Sequence, residues 1–332
     1  MDVPDDTEIV YTSVSTPGHH VLETLLDEGV PITQLVSISP EMGHAAGVAK
    51  YTDFSEIAEA NDLPIYYPET YSMGEADVDF FEELDADLMI VNGWNRIIPG
   101  EVLDTFPRGV LGNHGSAFGL PKGRGRSPLN WSLIEDLDRF LLSLIRLDAD
   151  VDAGAVAATR KFDITEFDTI QSLYYKVSLA IEAMLLDVIP PICRGDHTFE
   201  PQDGEPTYYP KRTPEDGEIN WGEPMAAIYN LVRAVTQPYP GAFTFHDGER
   251  VDVWSVRPFS TDFGFEADPG EILAAFHTDE FVVSTPDGSV LVTDWAADGW
   301  RPEAGMVFES AGDHDRVDGI EQKQHLTASD DD

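Results

Sequence analysis

The sequence predicts an α/β protein in two parts: a Rossmann-like, mostly parallel sheet, then a small C-terminal β-barrel. Three observations predict it. Strand and helix signals alternate through the first half at the lengths of βαβ units. The stretch "DLMIV" (87–91) is apolar almost without a break, as suits a strand covered on both faces. Beyond residue 240, short strands with Asp-Gly turns replace that alternation, which is the pattern of a small barrel.

The elements follow in order. "TEIVYTSVS" (7–15) is a β-branched strand, and "PGHHVLETLLDEG" is a helix ending at Gly29. "PITQLVSIS" is the next strand, "DFSEIAEAND" (53–62) a helix with an acidic start, and "PIYYP" a short strand. "EADVDFFEELDA" is a helix, "DLMIVNGW" (87–94) a buried strand, "PGEVLDTF" a helix and "GVLGNH" a strand. "SPLNWSLIEDL" opens a helix with Ser127 as N-cap and Pro128 at its first position. "RFLLSLIRLDA" is a strand with "AGAVAATRKFDI" paired near it. A long helix closes the first part, its apolar face running through Leu173, Val177, Ile181, Met184 and Leu185. Residues 1–200 form the first domain on this reading. The Pro-, Gly- and Asp-rich stretch 196–217 reads as a linker, and 201–312 comprise linker plus barrel. The acidic tail, 313–332, is expected to be disordered.

Composition sets limits. Against 62 acidic residues stand 20 basic ones, for a net charge of -42, and lysine is scarce. Disorder is excluded by the 42% hydrophobic content. An acidic, lysine-poor surface over a normal core points to adaptation to high salt, where a Debye length of ~3 Å screens self-repulsion. The same charge disfavours nucleic-acid binding. The single cysteine, Cys193, excludes an internal disulfide and a cysteine zinc site, and its place after an apolar helix makes it buried filler. "MDVPDDTE" is no signal peptide, and no apolar run approaches the ~20 residues of a membrane helix. A soluble cytoplasmic protein is expected.

In parallel sheets ligands sit beyond the carboxyl ends of the strands, and both "NGWNR" and "GNHGS" are placed there by this reading. His114 can exchange a proton near neutral pH, or it can simply tie a loop down. "LDADVDAG" (147–154) sets Asp148, Asp150 and Asp152 after an apolar strand. Such carboxylates can hold a histidine charged, or can make an ordinary solvated turn. The basic stretch with Lys122, Arg124 and Arg126 has three readings: an anion site, a loop pinned to acidic neighbours, or a nucleic-acid contact. Neither a phosphate-binding loop nor a dinucleotide fingerprint is present. The adjacent His19 and His20 make a poor metal site, and no metal is expected.

Together, "NHGS", "GLP", "RGRSPLNW" and "VDAGAVA" resemble the folate-dependent N-formyltransferase family, which carries Asn-x-His-Gly/Pro-Ser, Leu-Pro, Arg-Gly-x-x-Pro and then Asp-x-Gly. "YYPKRTPEDGEINW" and "IYNLVRAVTQPYPGAFTF" resemble the junction and start of its C-terminal, OB-like domain. The likeness spans roughly residues 7 to 310, and is greatest to members that formylate the 4-amino sugar of a UDP-sugar. It implies the formyltransferase fold, with 10-formyltetrahydrofolate as co-substrate. The acceptor it implies is a primary amine on an amino-sugar nucleotide, with tRNA or a non-catalytic folate- or nucleotide-binding relative as alternatives. Between residues 205 and 312 there are 19 acidic and 6 basic side chains, which speaks against tRNA. The resemblance also assigns roles. His114 stabilises the oxyanion of a tetrahedral intermediate and donates a proton, Asp152 keeps the imidazole charged, and Asn113 stands as a further catalytic residue. Arg96, Ile97, Ile98 and Arg126 contact the donor, and the turn of Asp148, Ala149, Asp150 and Val151 lines its other side. The family asparagine lies two residues before the histidine. That place is Gly112 here, and the asparagine is adjacent to His114.

Overall fold

The computed structural model of the chain describes residues 2–46, 48, 51–94, 96–263 and 266–309. The tail expected at 313–332 lies outside the described residues.

The first strand, β1 (Ile9–Thr12), is buried along its whole length. It is flanked by β2 (Ile32–Val36) and β4 (Leu88–Val91), with β3 (Ile65–Tyr66) beyond β2. β5 (Val110–Ser116), β7 (Arg139–Arg146) and β8 (Val156–Asp163) extend the other side, giving the order β3-β2-β1-β4-β5-β7-β8. The first five of these are parallel, and β7 is reversed, pairing antiparallel with both β5 and β8.

Strand parity explains the unbroken apolar runs. Ile9, Tyr11, Leu88, Ile90 and Leu111 face one core, while Val10, Met89, Val91 and Val110 face another. The first core is covered by α1 (Thr16–Asp27), α3 (Ser55–Ala60), α6 (Pro128–Ile134) and the long α7 (Ile170–Arg194). The second lies under α2 (Pro40–Ala45), α4 (Glu75–Leu84) and α5 (Gly100–Leu103). Cys193 is buried in the first core, and burial pushes its thiol up to about 11.

The C-terminal part begins with α8 (Met225–Val235) and contains β10 (Ala242–His246), β11 (Glu249–Ser260), β12 (Ile272–Ala275), β13 (Phe281–Thr285) and β14 (Gly288–Ala296). These form an antiparallel sheet of order β10-β11-β14-β13-β12. The segment 305–309 then bridges both of its edges. Ile272 donates to the Met306 carbonyl at 2.7 Å, and Glu309 donates to the Phe245 carbonyl at 2.8 Å. The sheet is thereby closed and neither edge is left bare.

Three local expectations need correction. "GNHGS" does not lie beyond a strand, because β5 continues to Ser116 on its antiparallel pairing with β7. Ser127 occupies the N-cap position of α6 in left-handed backbone and makes no side-chain cap bond. The stretch 196–217 is no free linker, since β9 (Tyr208–Tyr209) within it pairs in parallel with β6 (Arg124–Gly125).

The two parts are pinned by Arg233 on α8, which is 5% exposed. Its guanidinium donates to Asn230 Oδ1 at 2.8 Å and to the carbonyls of Thr165 and Asp168 at 2.8 and 3.0 Å. The Asp168 carboxylate accepts from the Thr165 amide, the Ser172 hydroxyl and Lys176 Nζ at 2.8, 2.8 and 2.7 Å. Burial works to raise this carboxyl, but Lys176 and the surrounding donors outweigh it and hold it below the usual carboxylate range. A depressed native value stabilises the fold above the unfolded pKa of ~3.9, and that stability is lost as pH falls through the native value. Asp168→Asn should therefore unfold more easily at pH 7, by about 1–3 kcal/mol. The gap to wild type should close below pH ~4. Urea titrations across that range check this.

Candidate active site

The β4–β5 ladder pairs Met89 with Val110 and Ile90 with Leu111. Beyond it the chain after Val91 leaves the sheet while β5 continues beside β7. A cavity of about 550 Å³ opens in this gap, a volume usual for small-molecule sites. Trp94, Ile97, Ile98 and Leu147 wall it on the side of one core, and Phe140, Leu142, Tyr174 and Val177 on the side of the other.

His114 and Asp152 meet at its centre. The His114 Nδ1 lies 3.3 Å from an Asp152 carboxylate oxygen, and the two side chains are 10% and 19% exposed. The Nε2 lies 3.0 Å from the Gly123 carbonyl. The Gly123 carbonyl can only accept, so Nε2 carries a proton toward it. Asp152 has left-handed backbone (φ 54), and its other carboxylate oxygen accepts from the Gly125 amide at 3.0 Å. Gly154 lets this turn close against β7: a Cβ there would fall 1.7 Å from the Arg146 carbonyl oxygen.

Asn113 also lines the cavity, but from the opposite face of β5 to His114. The β5–β7 register runs from Leu111↔Arg146 to Ser116↔Leu141 with no bulge. Neighbouring side chains therefore take opposite faces. The Asn113 amide donates to Asn92 Oδ1 at 3.3 Å, and the Asn92 amide donates to the Tyr11 hydroxyl at 3.3 Å. On the His114 side, a Cβ at Gly112 would lie 2.5 Å from Leu147 Cδ2. Leu147 thus fills the space that a side chain at position 112 would take.

The other expected residues line the same cavity. Arg96 sets its guanidinium 5.4 Å from the Tyr71 ring centroid, beside Ile97 and the buried Ile98. Asp148, Ala149, Asp150 and Val151 form the opposite lip, and Arg126 lines the wall near β9. The three basic residues of the loop part company. Lys122 is exposed, while Arg124 is buried, donating to Gln202 Oε1 from Nη2 at 2.6 Å. The Arg126 amide donates to the Tyr209 carbonyl at 3.0 Å. Residues 174, 202 and 239 carry no expected role in the sequence, and neither do 92 and 94 within "NGWNR" or 147 within "LDADVDAG". Trp94 directly follows the strand-end "NG", and among the described residues its buried Nε1 meets no hydrogen-bond partner. Tyr174 and Tyr239 share a hydroxyl–hydroxyl hydrogen bond at the far wall, and burial raises both phenols. Among the described residues, no cluster of His, Cys, Asp or Glu is arranged to hold a metal ion, and no helix is long and apolar enough to cross a membrane.

Residues 10–189 match the family described as formyl transferase, and residues 211–308 match its C-terminal domain. The chain belongs to the folate-dependent formyltransferase family. Solved structures share the fold of this chain. HypX from Aquifex aeolicus, in complex with tetrahydrofolic acid, is 22% identical with a TM-score of 0.61 over 86% of this chain and 43% of HypX. The chain thus spans under half of HypX. An N-formyltransferase from Helicobacter canadensis, in complex with folinic acid and dTDP-3-aminofucose, is 15% identical with a TM-score of 0.64 over 86% of this chain and 98% of that one. The methionyl-tRNA formyltransferase of Clostridium thermocellum is 19% identical with a TM-score of 0.53, covering 76% and 94%.

The Gly154 contact is with backbone, which cannot swing aside. Gly154→Ala should lower stability by about 2–3 kcal/mol. Thermal melts of the variant beside wild type check it.

Proposed function

We propose that the protein transfers the formyl group of 10-formyltetrahydrofolate to a primary amine, and that the amine belongs to a nucleotide-linked amino sugar. The observation that carries the reading is the His114–Asp152 pair, 3.3 Å apart at a cavity in which an apolar slot meets a polar rim. The residues present fit a folate. A pteridine is flat with polar edges, and Trp94, Ile97, Ile98 and Leu147 offer apolar walls beside the Trp94 Nε1, a donor without a partner among the described residues. Arg96 and Arg126 would hold the donor from the wall and Asp148, Ala149, Asp150 and Val151 from the lip. The bound donor would supply an activated formyl carbon.

The chain's own residues would do the rest. In the free state the His114 Nε2 proton is held by a neutral carbonyl, that of Gly123. An oxygen gaining negative charge is a stronger acceptor and would take that N–H over. Asp152 holds the ring by Nδ1; as the amine nitrogen bonds the formyl carbon, its proton would pass to Asp152, and His114 would give one to the departing folate nitrogen as the carbon–nitrogen bond to the donor breaks. With Leu147 packed where a side chain at 112 would stand, the donor role on that face falls to His114. Asn113 would act from the opposite face, where Asn92 holds its amide.

For the acceptor, support comes from the sugar-nucleotide complex of the Helicobacter enzyme, nearly all of which this chain matches. It comes also from the 19 acidic against 6 basic residues between 205 and 312. tRNA formylation, the activity named for the Clostridium enzyme, is the second reading.

In molar KCl, wild type should release tetrahydrofolate with dTDP- or UDP-amino sugars. His114→Ala should lower kcat by about 10²–10⁴-fold, and Asn113→Ala by less. Turnover with methionyl-tRNA alone would move the reading to tRNA, and none with any amine would end it. The charge of -42 supports a salt-rich cytoplasm as the working environment. The melting temperature should climb as KCl rises from about 0.1 to 3 M, because screening relieves self-repulsion. A fall over that range would exclude salt adaptation.

A further inference from the structure

We propose that Gln202 is a positioning residue for this site: its amide, oriented by Arg124, fixes the Asp152 turn against His114. The Gln202 Nε2 donates to the carbonyls of Asp152 and Gly154, each at 2.8 Å. Its Oε1 accepts from Arg124 Nε at 3.2 Å and Nη2 at 2.6 Å. Arg124 has donors only, so it selects the oxygen end of the amide and leaves the nitrogen end facing the turn. The guanidinium is itself set in place, since Nη1 donates to the Tyr208 hydroxyl at 3.4 Å and the Arg124 amide to the Thr207 carbonyl at 2.9 Å.

The turn needs such a hold. Asp152 sits at φ 54, a conformation disfavoured for residues with a Cβ. Two carbonyls flanking its side chain are gripped by one amide, and its carboxylate accepts from Gly125, the residue after Arg124. Release of that grip frees the carboxylate to drift from Nδ1, and a displacement of 1 Å at a reacting group can cost about 10²-fold in rate. A glutamate of the same shape would keep the Arg124 contact but could donate to neither carbonyl. The functional half of this inference rests on the role proposed for Asp152.

Gln202→Glu is therefore the decisive variant. It should lower kcat about 10²-fold with the donor KM within about threefold of wild type, because the apolar walls Trp94, Ile97, Ile98 and Leu147 are untouched. In an Asp152→Ala background the same change should alter kcat by less than about twofold, since it acts through Asp152. In ¹⁵N-histidine-labelled protein, the His114 ring signals should move in Gln202→Glu toward their place in Asp152→Ala. A full loss of rate in the Asp152→Ala background, or His114 signals unmoved, would overturn the proposal. The nitrogen signals need no turnover. If wild type formylates no amine, the function proposed above fails, while the placement of Asp152 is still decided. Should Gln202→Glu not fold, Arg124→Lys replaces it. That variant keeps the charge, loses the fork, and should produce the same kinetic split and the same shift of the ring signals.

Discussion

A ladder of two residues governs the rest of this structure. Arg124 and Gly125 pair in parallel with Tyr208 and Tyr209, so the chain that leaves α7 recrosses the rim of the cavity before it enters the barrel. The pairing depends on Gly125, which has φ 92, and a Cβ there would lie 2.5 Å from the Tyr209 carbonyl oxygen. The strap is held from behind as well. Trp131 on α6 stacks on Tyr209, with ring planes 7° apart, and its Nε1 donates to the Pro210 carbonyl at 3.2 Å. The Tyr209 hydroxyl donates to Glu135 at 2.8 Å, and burial raises the phenol. Two residues of ladder are weak alone. Their strength comes from an anchored strap on one side and a sheet strand on the other.

The ladder also answers what basic residues do in so acidic a chain. Arg124 lies buried on a neutral amide, and Arg96 and Arg126 stand at the cavity. An ion pair on the surface of a protein in molar salt is screened within a few ångströms. His114 and Asp152 are mostly buried, so their contact is screened far less. An acidic exterior and a buried polar pair can therefore coexist, because salt acts strongly on the first and weakly on the second.

The sheet was legible because period and parity are local. Alternate residues of β1 and β4 feed two cores, and a run apolar on both faces announces that. The approximate place of the site was legible too, since strand ends carry ligands in this class of fold. What escaped was long-range. The extension of β5 past His114 to Ser116 depends on β7, about thirty residues later, and no local signal in "GS" marks it. The strap reads as a linker because its Pro, Gly and Asp content is a linker's, and a ladder of two residues has no period. Gln202 therefore left no trace in the sequence. Ser127 misled for a different reason. Residue type suited a cap, but the turn out of β6 demands left-handed backbone there.

One position shows how little freedom the rim has. Moving a residue by one place along a strand moves its side chain to the other face. Asn113 cannot be repacked beside His114 while β5 keeps its register with β7, and nothing in that ladder bulges. Leu147 completes the constraint, because its methyl lies where a side chain at 112 would begin. The His114 face thus holds one flexible apolar group and one imidazole. On the proposed chemistry, stabilisation of negative charge there falls to a single ring. Its charge is favoured by one carboxylate, and that carboxylate sits on a strained turn held by the strap. A site with two oxyanion donors could tolerate slack in either. With one donor on this face, tolerance passes to whatever fixes Asp152, which is the physical reason to look for function in a segment that reads as a spacer.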